Sequence, residues 1–580
     1  MTRRLAALRI GNFKAFADTQ RIPLKPITLI FGPNSAGKSS FIHSLALAHE
    51  AQFGREKRSW ARLDVHHTDI GGSAIDLGGF RQYIHRGILS KRVEWGAEIK
   101  LSALDPDKDK RLVELLASLS TVTINIALGI ELDNEDRPKP GAEPQVESVE
   151  LTGDGAELLR MSRRRGDGQG STLRLDRLAS DHSVFRQILK AIVESATTSE
   201  EMRPEDYDSA NEAISSLLPE LVIRVDQFFS ASIELPEGEG AELSPVSMLF
   251  PVSKGNREED IANTVRFYLP RILNDILKGL SDALADELKR LQYLGPLRSF
   301  PPRHLAFAEH EDANWYAGGG YAWDVVRRDD AVRESVNGWL GSNKLKTPYK
   351  LIVRSLVAAD QLKSPLVVGL EEIEKDESAM YVGSVDKDGF VMKHYPPKDD
   401  ARAYFEDADA SAEALTNAVV SSDIDRIREL VLMDQRTNTL VTHRDVGIGI
   451  SQVLPVLVMA YGSKGKLLAM EQPEIHLHPA LQAELADVFI ECALGERGNT
   501  FILETHSEHL ILRLLRRIRE TTDGELPEGA LPLRPDDVSV IFVQPSPNGS
   551  KAIDIGIDPD GDFSQNWPDG FFAERAQELF

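Results

Sequence analysis

The spacing of apolar residues predicts short buried strands that alternate with helices at both ends of the chain. Residues 3–10 and 21–31 are predicted as two strands, and residues 38–50 as a helix. Towards the other end, the apolar runs 467–470 and 500–503 flank a segment with apolar residues at helical spacing, namely Leu481, Leu485, Val488, Phe489 and Cys492. Strands joined through a helix are typical of a parallel sheet. The pattern therefore predicts an α/β fold.

The middle of the chain has a different pattern. Short strands are predicted at residues 146–151, 156–161 and 172–175, separated by glycine-rich turns, and a hairpin at residues 430–443. An apolar residue every three or four positions predicts a helix from Asp260 to Leu291, about 48 Å long, which Pro270 is expected to kink. This length suits a short arm or a packed subdomain rather than a long coiled coil.

Composition and charge narrow the classes of protein. The 580 residues are 42% hydrophobic and 27% charged, and no apolar run approaches the roughly 20 residues that span a bilayer. The single cysteine excludes an internal disulfide and a cysteine-based zinc site, so a cytoplasmic location and no membrane partner are expected. The net charge of −24 opposes indiscriminate binding to phosphate backbones, although a local basic patch leaves nucleic acid open as a partner.

The clearest motif is GPNSAGKSS, which directly follows the apolar run at residues 27–31. It fits G-x-x-x-x-G-K-[ST] and consists of Gly32, Pro33, Asn34, Ser35, Ala36, Gly37, Lys38, Ser39 and Ser40. Such glycines let backbone N–H groups converge on phosphate oxygens beside the positive end of the next helix. We expect Lys38 to reach the β- and γ-phosphates and the Ser39 hydroxyl to bind Mg²⁺.

Polar residues follow two predicted strands near the other end of the chain. Glu471 ends the run LLAM, and the segment ETHS, which contains His506, follows the run TFIL. Ligands of open α/β sheets bind at the carboxyl ends of the strands, where these side chains should emerge together. We expect Glu471 to hold Mg²⁺, and His506 to contact a γ-phosphate or an attacking water.

A second glycine-serine turn, DVGIGISQ, lies just before the strand of Glu471. It opens an apolar helix, and such a turn can bind an anion. It would be redundant in a simple kinase, whose single loop already holds the phosphates. It is either an ordinary turn that opens a helix or a device that grips the γ-phosphate of a nucleotide held by a second copy of the chain.

The order of these motifs resembles that of the ABC-type ATPase heads of the SMC, RecF and OLD kind. More narrowly, EQPEIHLHP, ETHSEHL and IDPDGDFSQNWPDGFF are similar to bacterial ABC/AAA-type ATPases of antiphage systems such as Septu and PARIS. This resemblance implies an α/β fold, that of a P-loop NTPase head with split β-sheet lobes and a mixed β/helical insertion. It also implies ATP and Mg²⁺ as cofactors, a homodimer or higher oligomer that sandwiches ATP, and a nuclease or toxin as effector partner.

The resemblance also implies a role for each matched residue. Residues 32–40 would bind ATP, and Ser39 and Glu471 would hold Mg²⁺, with Gln82 of GGFRQYIHRG as a further Mg²⁺- and water-sensing residue. His506 would be the switch histidine. The signature that completes the site of the partner copy would consist of Gly447, Gly449, Ser451 and Gln452.

The predicted domains follow from the same resemblance. An N-terminal ATPase lobe spans residues 1–100, an insertion of β-meander and helical arm spans 101–290, and the chain returns to the core at 291–352. An acidic insertion without a readable pattern covers 353–429. The C-terminal ATPase lobe covers 430–525, and a tail subdomain covers 526–580.

One position departs from the resemblance. ABC heads place a glutamate directly after the Mg²⁺ acid to polarise the attacking water, whereas this chain has Gln472. Glutamine can orient a water but cannot accept its proton. Either Glu474 takes this role, or hydrolysis is slow and the ATP-bound dimer is long-lived.

Other interpretations remain open at this stage. A DNA repair or recombination ATPase could carry the same head, and an OLD-type nuclease would need a nuclease domain of its own. His476 and His478 could be metal ligands, but in this motif they are expected to shape a turn. Arg298 could reach a phosphate or brace the sheet.

Overall fold

The computed structural model describes most of the chain. The described residues are 4–53, 68–140, 142–164, 172–196, 203–225, 228–229, 231–233, 256–298, 313–341, 344, 347–357, 383–385, 391–393, 412–413, 416–417, 419, 426–441, 448–565 and 567. Most of the predicted insertion at 353–429 lies outside them, as does Gly447. Among the described residues, no helix has both the length and the apolar character needed to cross a membrane.

The described residues between 4 and 233 form ten strands and five helices. They are β1 (Leu5–Gly11), β2 (Gln20–Pro23), β3 (Ile27–Phe31), α1 (Ser39–Phe53), α2 (Phe80–Tyr83), β4 (Val93–Lys100), α3 (Lys110–Leu115), β5 (Thr121–Gly129), β6 (Gln145–Gly153), β7 (Ala156–Ser162), β8 (Thr172–Leu178), α4 (Ser183–Ala196), α5 (Pro204–Leu217), β9 (Val222–Val225) and β10 (Ala231–Ile233).

The second half begins with a long helix and ends with a hairpin. Its elements are α6 (Arg257–Lys289), β11 (Leu291–Leu294), α7 (Ala313–Ala317), α8 (Tyr321–Arg328), α9 (Asp330–Leu340), β12 (Tyr349–Val357), β13 (Gly383–Val385), β14 (Val391–Lys393), β15 (Arg426–Asp434), β16 (Thr439–Val441), α10 (Ile448–Gly462), β17 (Leu467–Glu471), α11 (Pro479–Leu494), β18 (Thr500–Glu504), α12 (Glu508–Asp523), β19 (Val538–Gln544) and β20 (Lys551–Asp554).

Nine strands form an antiparallel sheet in the order β10-β9-β8-β7-β6-β5-β4-β1-β2. The meander from β5 to β10 therefore continues the sheet that β1, β2 and β4 form. This sheet crosses residue 100, where the sequence analysis placed a domain boundary. The prediction of one strand at residues 21–31 is wrong, because β2 lies in this sheet and β3 in another. Pro23 and Pro26 lie at this change of sheet, and proline cannot donate to a strand ladder.

A second sheet has six strands in the order β11-β17-β18-β3-β19-β20, all parallel except the edge strand β20. Strands β3, β17 and β18 are buried throughout, as expected for a parallel sheet covered on both faces. Alternate residues of β3 enter two cores: Ile30 packs with α1 and α6, whereas Leu29 packs with α10, α11 and α12. The predicted α/β fold with two sheet lobes is confirmed.

Helix α6 belongs to the larger core rather than to a free arm. It runs for 33 residues and continues through the buried Pro270. Its apolar face packs against α3, α4, α5 and β10. Helix α6 therefore forms part of a packed subdomain and is not a short arm.

The C-terminal segment completes the six-stranded sheet. Strand β19 lies parallel to β3, so the strand that leads into the phosphate loop has β18 on one side and β19 on the other. The sequence interpretation placed residues 526–580 in a tail subdomain and predicted no strand there. The run VSVIFVQ is apolar enough to have indicated one.

Candidate nucleotide-binding site

The phosphate loop connects β3 to α1, and two glycines fix its shape. Gly32 has φ of +146° and Gly37 has φ of +102°, values that favour glycine. A Cβ on Gly32 would lie 2.5 Å from the carbonyl oxygen of Val543, and one on Gly37 would lie 2.4 Å from Cβ of Ala15. The loop is therefore enclosed by the N-terminal loop around Ala15 on one side and by β19 on the other.

Lys38 is held inside the loop. Its Nζ donates a 3.0 Å hydrogen bond to the carbonyl oxygen of Pro33, and the side chain is only 4% exposed. Burial lowers the pKa of Lys38, and the carboxylates of Glu504, Glu474 and Glu471 oppose this effect. A buried ammonium with acidic neighbours is a ready partner for phosphate oxygens.

Glu504 is a residue of the site to which the sequence analysis assigned no role. Its Oε2 accepts a 2.6 Å hydrogen bond from the Ser39 hydroxyl, and its Oε1 lies 4.0 Å from Nζ of Lys38. Burial, followed by the nearby charge of Glu471, raises the pKa of Glu504 to about 7, whereas Ser39 and Lys38 act to lower it. The signal in the sequence was an acid directly after an apolar run, the same signal that identified Glu471.

Glu471 ends β17 and is held by two side chains from other elements. The Tyr293 hydroxyl donates a 3.0 Å hydrogen bond to its Oε1, and Nε2 of His43 lies 3.4 Å from the same atom. Nδ1 of His43 lies 2.6 Å from Nζ of Lys14. An ammonium can only donate, so the proton of a neutral His43 ring sits on Nε2, the atom nearer to Glu471. Burial lowers the pKa of Lys14 to about 8.

The oxygen donors at this edge of the sheet fit Mg²⁺. The Ser39 hydroxyl and the carboxylates of Glu471 and Glu504 are hard oxygen ligands. Within the described ranges, no group of three His, Cys, Asp or Glu side chains could hold a metal by itself. This agrees with the usual Mg²⁺ site, which combines one or two carboxylates with phosphate oxygens and water.

Glu474 and His506 lie beside this edge and contact each other. The backbone N–H of His506 donates a 2.8 Å hydrogen bond to Oε1 of Glu474. Burial raises the pKa of Glu474 and lowers that of His506, which Lys38 lowers further. In the part of the chain that the structure describes, Oε2 of Glu474 and Nε2 of His506 are buried without a hydrogen-bond partner. Two unsatisfied polar atoms at this point indicate a place for a ligand or a water.

Gln472 occupies a backbone conformation that is rare outside glycine, with φ of +46°. Its N–H donates a 2.7 Å hydrogen bond to the carbonyl oxygen of Glu504, which extends the β17–β18 ladder by one step. Its carbonyl oxygen accepts a 2.8 Å hydrogen bond from Arg298. Held at both backbone groups, Gln472 sits at the strand end where the attacking water is expected.

Arg298 braces the sheet, which is one of the two roles considered for it. Its guanidinium is buried and donates to the carbonyl oxygens of Gln452 at 3.0 Å and Glu471 at 3.4 Å, as well as to Gln472. Burial lowers its pKa to about 10, and Glu474 opposes this change. Arg298 therefore ties helix α10 to the end of β17.

The signature residues occupy the first turn of α10. Ser451 and Gln452 are buried, and a Cβ on Gly449 would lie 3.0 Å from the carbonyl oxygen of His476. Gly447 lies outside the described residues. The signature therefore packs against the turn that follows Glu471 in the same copy of the chain.

The sequence contained weaker indications of a role for Gln82 and for the pair His476 and His478. Gln82 is exposed in α2, and the carbonyl oxygen of the next residue, Tyr83, accepts a 2.7 Å hydrogen bond from the N–H of Lys14. Its predicted role with Mg²⁺ stays a prediction. His476 and His478 are exposed, and His478 caps α11, where Nδ1 accepts a 3.3 Å hydrogen bond from the N–H of Ala480. His478 thus shapes the start of this helix.

Family models match three parts of the chain. A model described as "AAA domain, putative AbiEii toxin, Type IV TA system" matches residues 277–513, and one described as "AAA domain" matches residues 7–135. Together they contain the phosphate loop, Glu471 and His506. These matches support an AAA-type domain with a phosphate loop. A third model, "Protein of unknown function (DUF3696)", matches residues 533–580. No curated protein matches the chain.

Solved structures similar to this chain include three SMC heads. One is an Smc head bound to the C-winged helix domain of ScpA (10% identity, 96% of this chain and 98% of that chain, TM-score 0.32). A second is an Smc head with an extended coiled coil, bound to the C-terminal domain of ScpA, from Pyrococcus furiosus (9%, 99% and 98%, TM-score 0.31). A third is the SMC head domain from Thermotoga maritima (9%, 96% and 100%, TM-score 0.30).

The segment matched by the third family model touches the phosphate loop. The N–H of Ser550 donates a 2.8 Å hydrogen bond to the carbonyl oxygen of Ala15. Its hydroxyl donates to the carbonyl oxygen of Ala36 inside the loop. Ser550 therefore joins the two loops that enclose the site, and sequence reasoning gave no indication of it.

Proposed function

We propose that the chain is a Mg²⁺-dependent ATPase that binds ATP at the phosphate loop and hydrolyses it slowly. The observation that carries this proposal is the meeting of Lys38 and Ser39 with two acids, Glu471 and Glu504, at the carboxyl edge of the six-stranded sheet. Backbone N–H groups and the start of α1 would hold the phosphates. When bound, Mg²⁺ would neutralise charge on the phosphates.

The polar groups around the loop then have separate tasks. Lys38 would exchange its contact with Pro33 for phosphate oxygens. Tyr293 orients the Glu471 carboxylate by a hydrogen bond, and His43 lies beside the same oxygen, as outer partners of a metal ligand do. Gln472 would orient the attacking water without taking its proton, which is the reason for slow turnover.

We further propose that two copies of the chain close around ATP. The signature turn with Gly449, Ser451 and Gln452 would contact the nucleotide held by the partner copy. The contacts of Arg298 support this proposal, because they connect the signature helix to the strand end that carries Glu471. Closure and the state of the nucleotide would thereby be coupled.

The setting we propose is the regulation of a separate effector protein in bacterial antiphage defence. The supports are the resemblance of EQPEIHLHP and ETHSEHL to that group of ATPases, and a family model whose description names a toxin system. The net charge of −24 favours a protein partner over a nucleic acid. Deletion of this gene or of a neighbouring effector gene should raise phage plaque counts equally, and equal counts with and without this gene would refute the defence role.

Equilibrium binding tests the proposed ATP site. The wild-type chain should bind a non-hydrolysable fluorescent ATP analogue in a Mg²⁺-dependent manner, and Lys38→Ala should lose this binding. Lys278→Ala, at an exposed position of α6, is the matched control and should bind as the wild type does.

Native mass spectrometry should show a dimer only with ATP. A chain that stays monomeric with ATP would refute the trans site, whereas unaltered binding by Lys38→Ala would refute the ATP site itself.

A further inference from the structure

The position of Glu504 in the sheet is set by its backbone. Glu504 is the last residue of β18 and pairs in register with Glu471 of β17 on one side and with Ile30 of β3 on the other. Side chains of directly paired residues in a parallel sheet leave from the same face. Glu504 therefore stands between the strand that leads into the phosphate loop and the strand that ends in the expected Mg²⁺ acid.

The side chain of Glu504 is directed at the loop and not at solvent. It is buried, accepts from the Ser39 hydroxyl and lies 4.0 Å from the Lys38 ammonium. Ser39 is the residue whose hydroxyl is expected to bind Mg²⁺. In this hydrogen bond the Ser39 hydroxyl points its proton at Glu504. The lone pairs of Oγ are therefore free to face a cation.

The local charge is compatible with a cation. Lys38 is an ammonium group with three carboxylates acting on it, those of Glu504, Glu474 and Glu471. Lys14 also acts on Glu471, and Arg298 acts on Glu474. A divalent cation between Ser39, Glu471 and Glu504 would stabilise the two carboxylates further, because Mg²⁺ takes one or two carboxylates together with phosphate oxygens.

We propose that Glu504 is a second acidic residue of the Mg²⁺ site, next to Glu471 and Ser39, and contacts the cation directly or through one water. This inference rests on the proposed function. A role as the base for the attacking water is not favoured, because Glu504 lies against Lys38 and Ser39, on the side of the loop itself. The attacking water approaches the γ-phosphate from the opposite side, in line with the leaving oxygen.

The test measures the Mg²⁺ dependence of nucleotide binding, with no turnover involved. A non-hydrolysable fluorescent ATP analogue is titrated into wild type and Glu504→Gln, first in EDTA and then at increasing Mg²⁺. Loss of a carboxylate near the phosphates should tighten binding in EDTA. The Mg²⁺ concentration for half-maximal binding should rise about tenfold or more, the usual effect of losing a residue that tunes a metal. Mn²⁺ paramagnetic resonance with the same analogue should show weaker ion binding.

Two further variants keep the test interpretable. Glu508→Gln, in the first turn of α12 just after the site, makes the same chemical change and should behave as the wild type does. Glu504→Asp keeps the charge on a shorter side chain, and should bind in EDTA like the wild type but need more Mg²⁺. This variant carries the test if Glu504→Gln does not fold by circular dichroism.

Two results would overturn the inference. An unchanged Mg²⁺ half-point in Glu504→Gln would remove Glu504 from the metal site. If Glu504→Gln bound the ATP analogue more tightly than the wild type by the same factor with and without Mg²⁺, Glu504 would not act through the metal. It would instead compete with the nucleotide for Lys38 and Ser39. A wild-type chain that binds no nucleotide even with Mg²⁺ is a different result, since it refutes the proposed function.

Discussion

The hydroxyl of Ser550 donates a 2.6 Å hydrogen bond to the carbonyl oxygen of Ala36, across 514 residues of sequence. Both residues are buried, and the donor comes from the segment between β19 and β20 while the acceptor lies inside the phosphate loop. The C-terminal hairpin therefore helps to hold the loop in the shape that its glycines allow.

Ser550→Ala should weaken binding of the Mg²⁺–ATP complex and destabilise the fold. The substitution leaves the buried carbonyl oxygen of Ala36 without its donor, which costs about 1–3 kcal/mol. Fluorescence binding of an ATP analogue and urea unfolding measure the two effects. Ser546→Ala, four residues earlier in the same segment, is the matched control. An affinity for ATP equal to that of the wild type would contradict a role of this segment at the site.

Gln472→Glu should raise kcat without tightening ATP binding. A carboxylate at this position can accept the proton of the attacking water, and such catalysis typically contributes about a hundredfold or more. Steady-state phosphate release and equilibrium binding of a non-hydrolysable analogue separate the two quantities. The double variant with Lys38→Ala should be inactive, which excludes a contaminating ATPase. Rates that fall in Gln472→Glu would show that the glutamine itself is required.

Arg298→Lys should uncouple the signature helix from the end of β17. A lysine keeps the charge but cannot donate to the carbonyl oxygens of Gln452 and Gln472 together, because its ammonium lacks the fork geometry of a guanidinium. We expect a stability loss of about 1–3 kcal/mol and weaker ATP-dependent dimerisation. The exposed Arg516→Lys is the control, since a lysine there can still pair with Glu520. Full dimerisation by Arg298→Lys would argue against the coupling.

The pair of Asp206 and Arg257 should make part of the stability depend on pH. Arg257 donates two 2.8 Å hydrogen bonds to the carboxylate and lowers the pKa of Asp206 to about 2. A pKa below the unfolded value of about 3.9 means that the stabilisation is complete above pH 4 and is lost as the pH falls towards 2. Asp206→Asn should therefore be less stable than the wild type at pH 7, and the difference should shrink at pH 3.

Urea unfolding at pH 7 and pH 3 measures this difference. Asp208→Asn, at an exposed position of the same helix, should show no comparable dependence. A stability difference between Asp206→Asn and wild type that is as large at pH 3 as at pH 7 would mean that the pair acts through packing and not through charge.

Local sequence was enough to predict the elements that carry the site. The apolar runs of β17 and β18, the glycine pattern of the loop and the helix that follows it are all properties of neighbouring residues. These predicted Lys38, Ser39, Glu471 and His506 at one edge of one sheet, where the structure places them. The division of residues 21–31 between two sheets was missed, because apolar periodicity does not identify which sheet a strand joins.

The sequence by itself determined that this chain has a phosphate loop and two strands that end in acidic or histidine side chains. Only the tertiary structure decided which distant side chains complete the site. The strand order puts β18 between β17 and β3, and this order brings Glu504 to Ser39. The fold likewise brings Tyr293 to Glu471 and Ser550 to the loop. Strand order depends on packing across hundreds of residues, and local periodicity does not contain it.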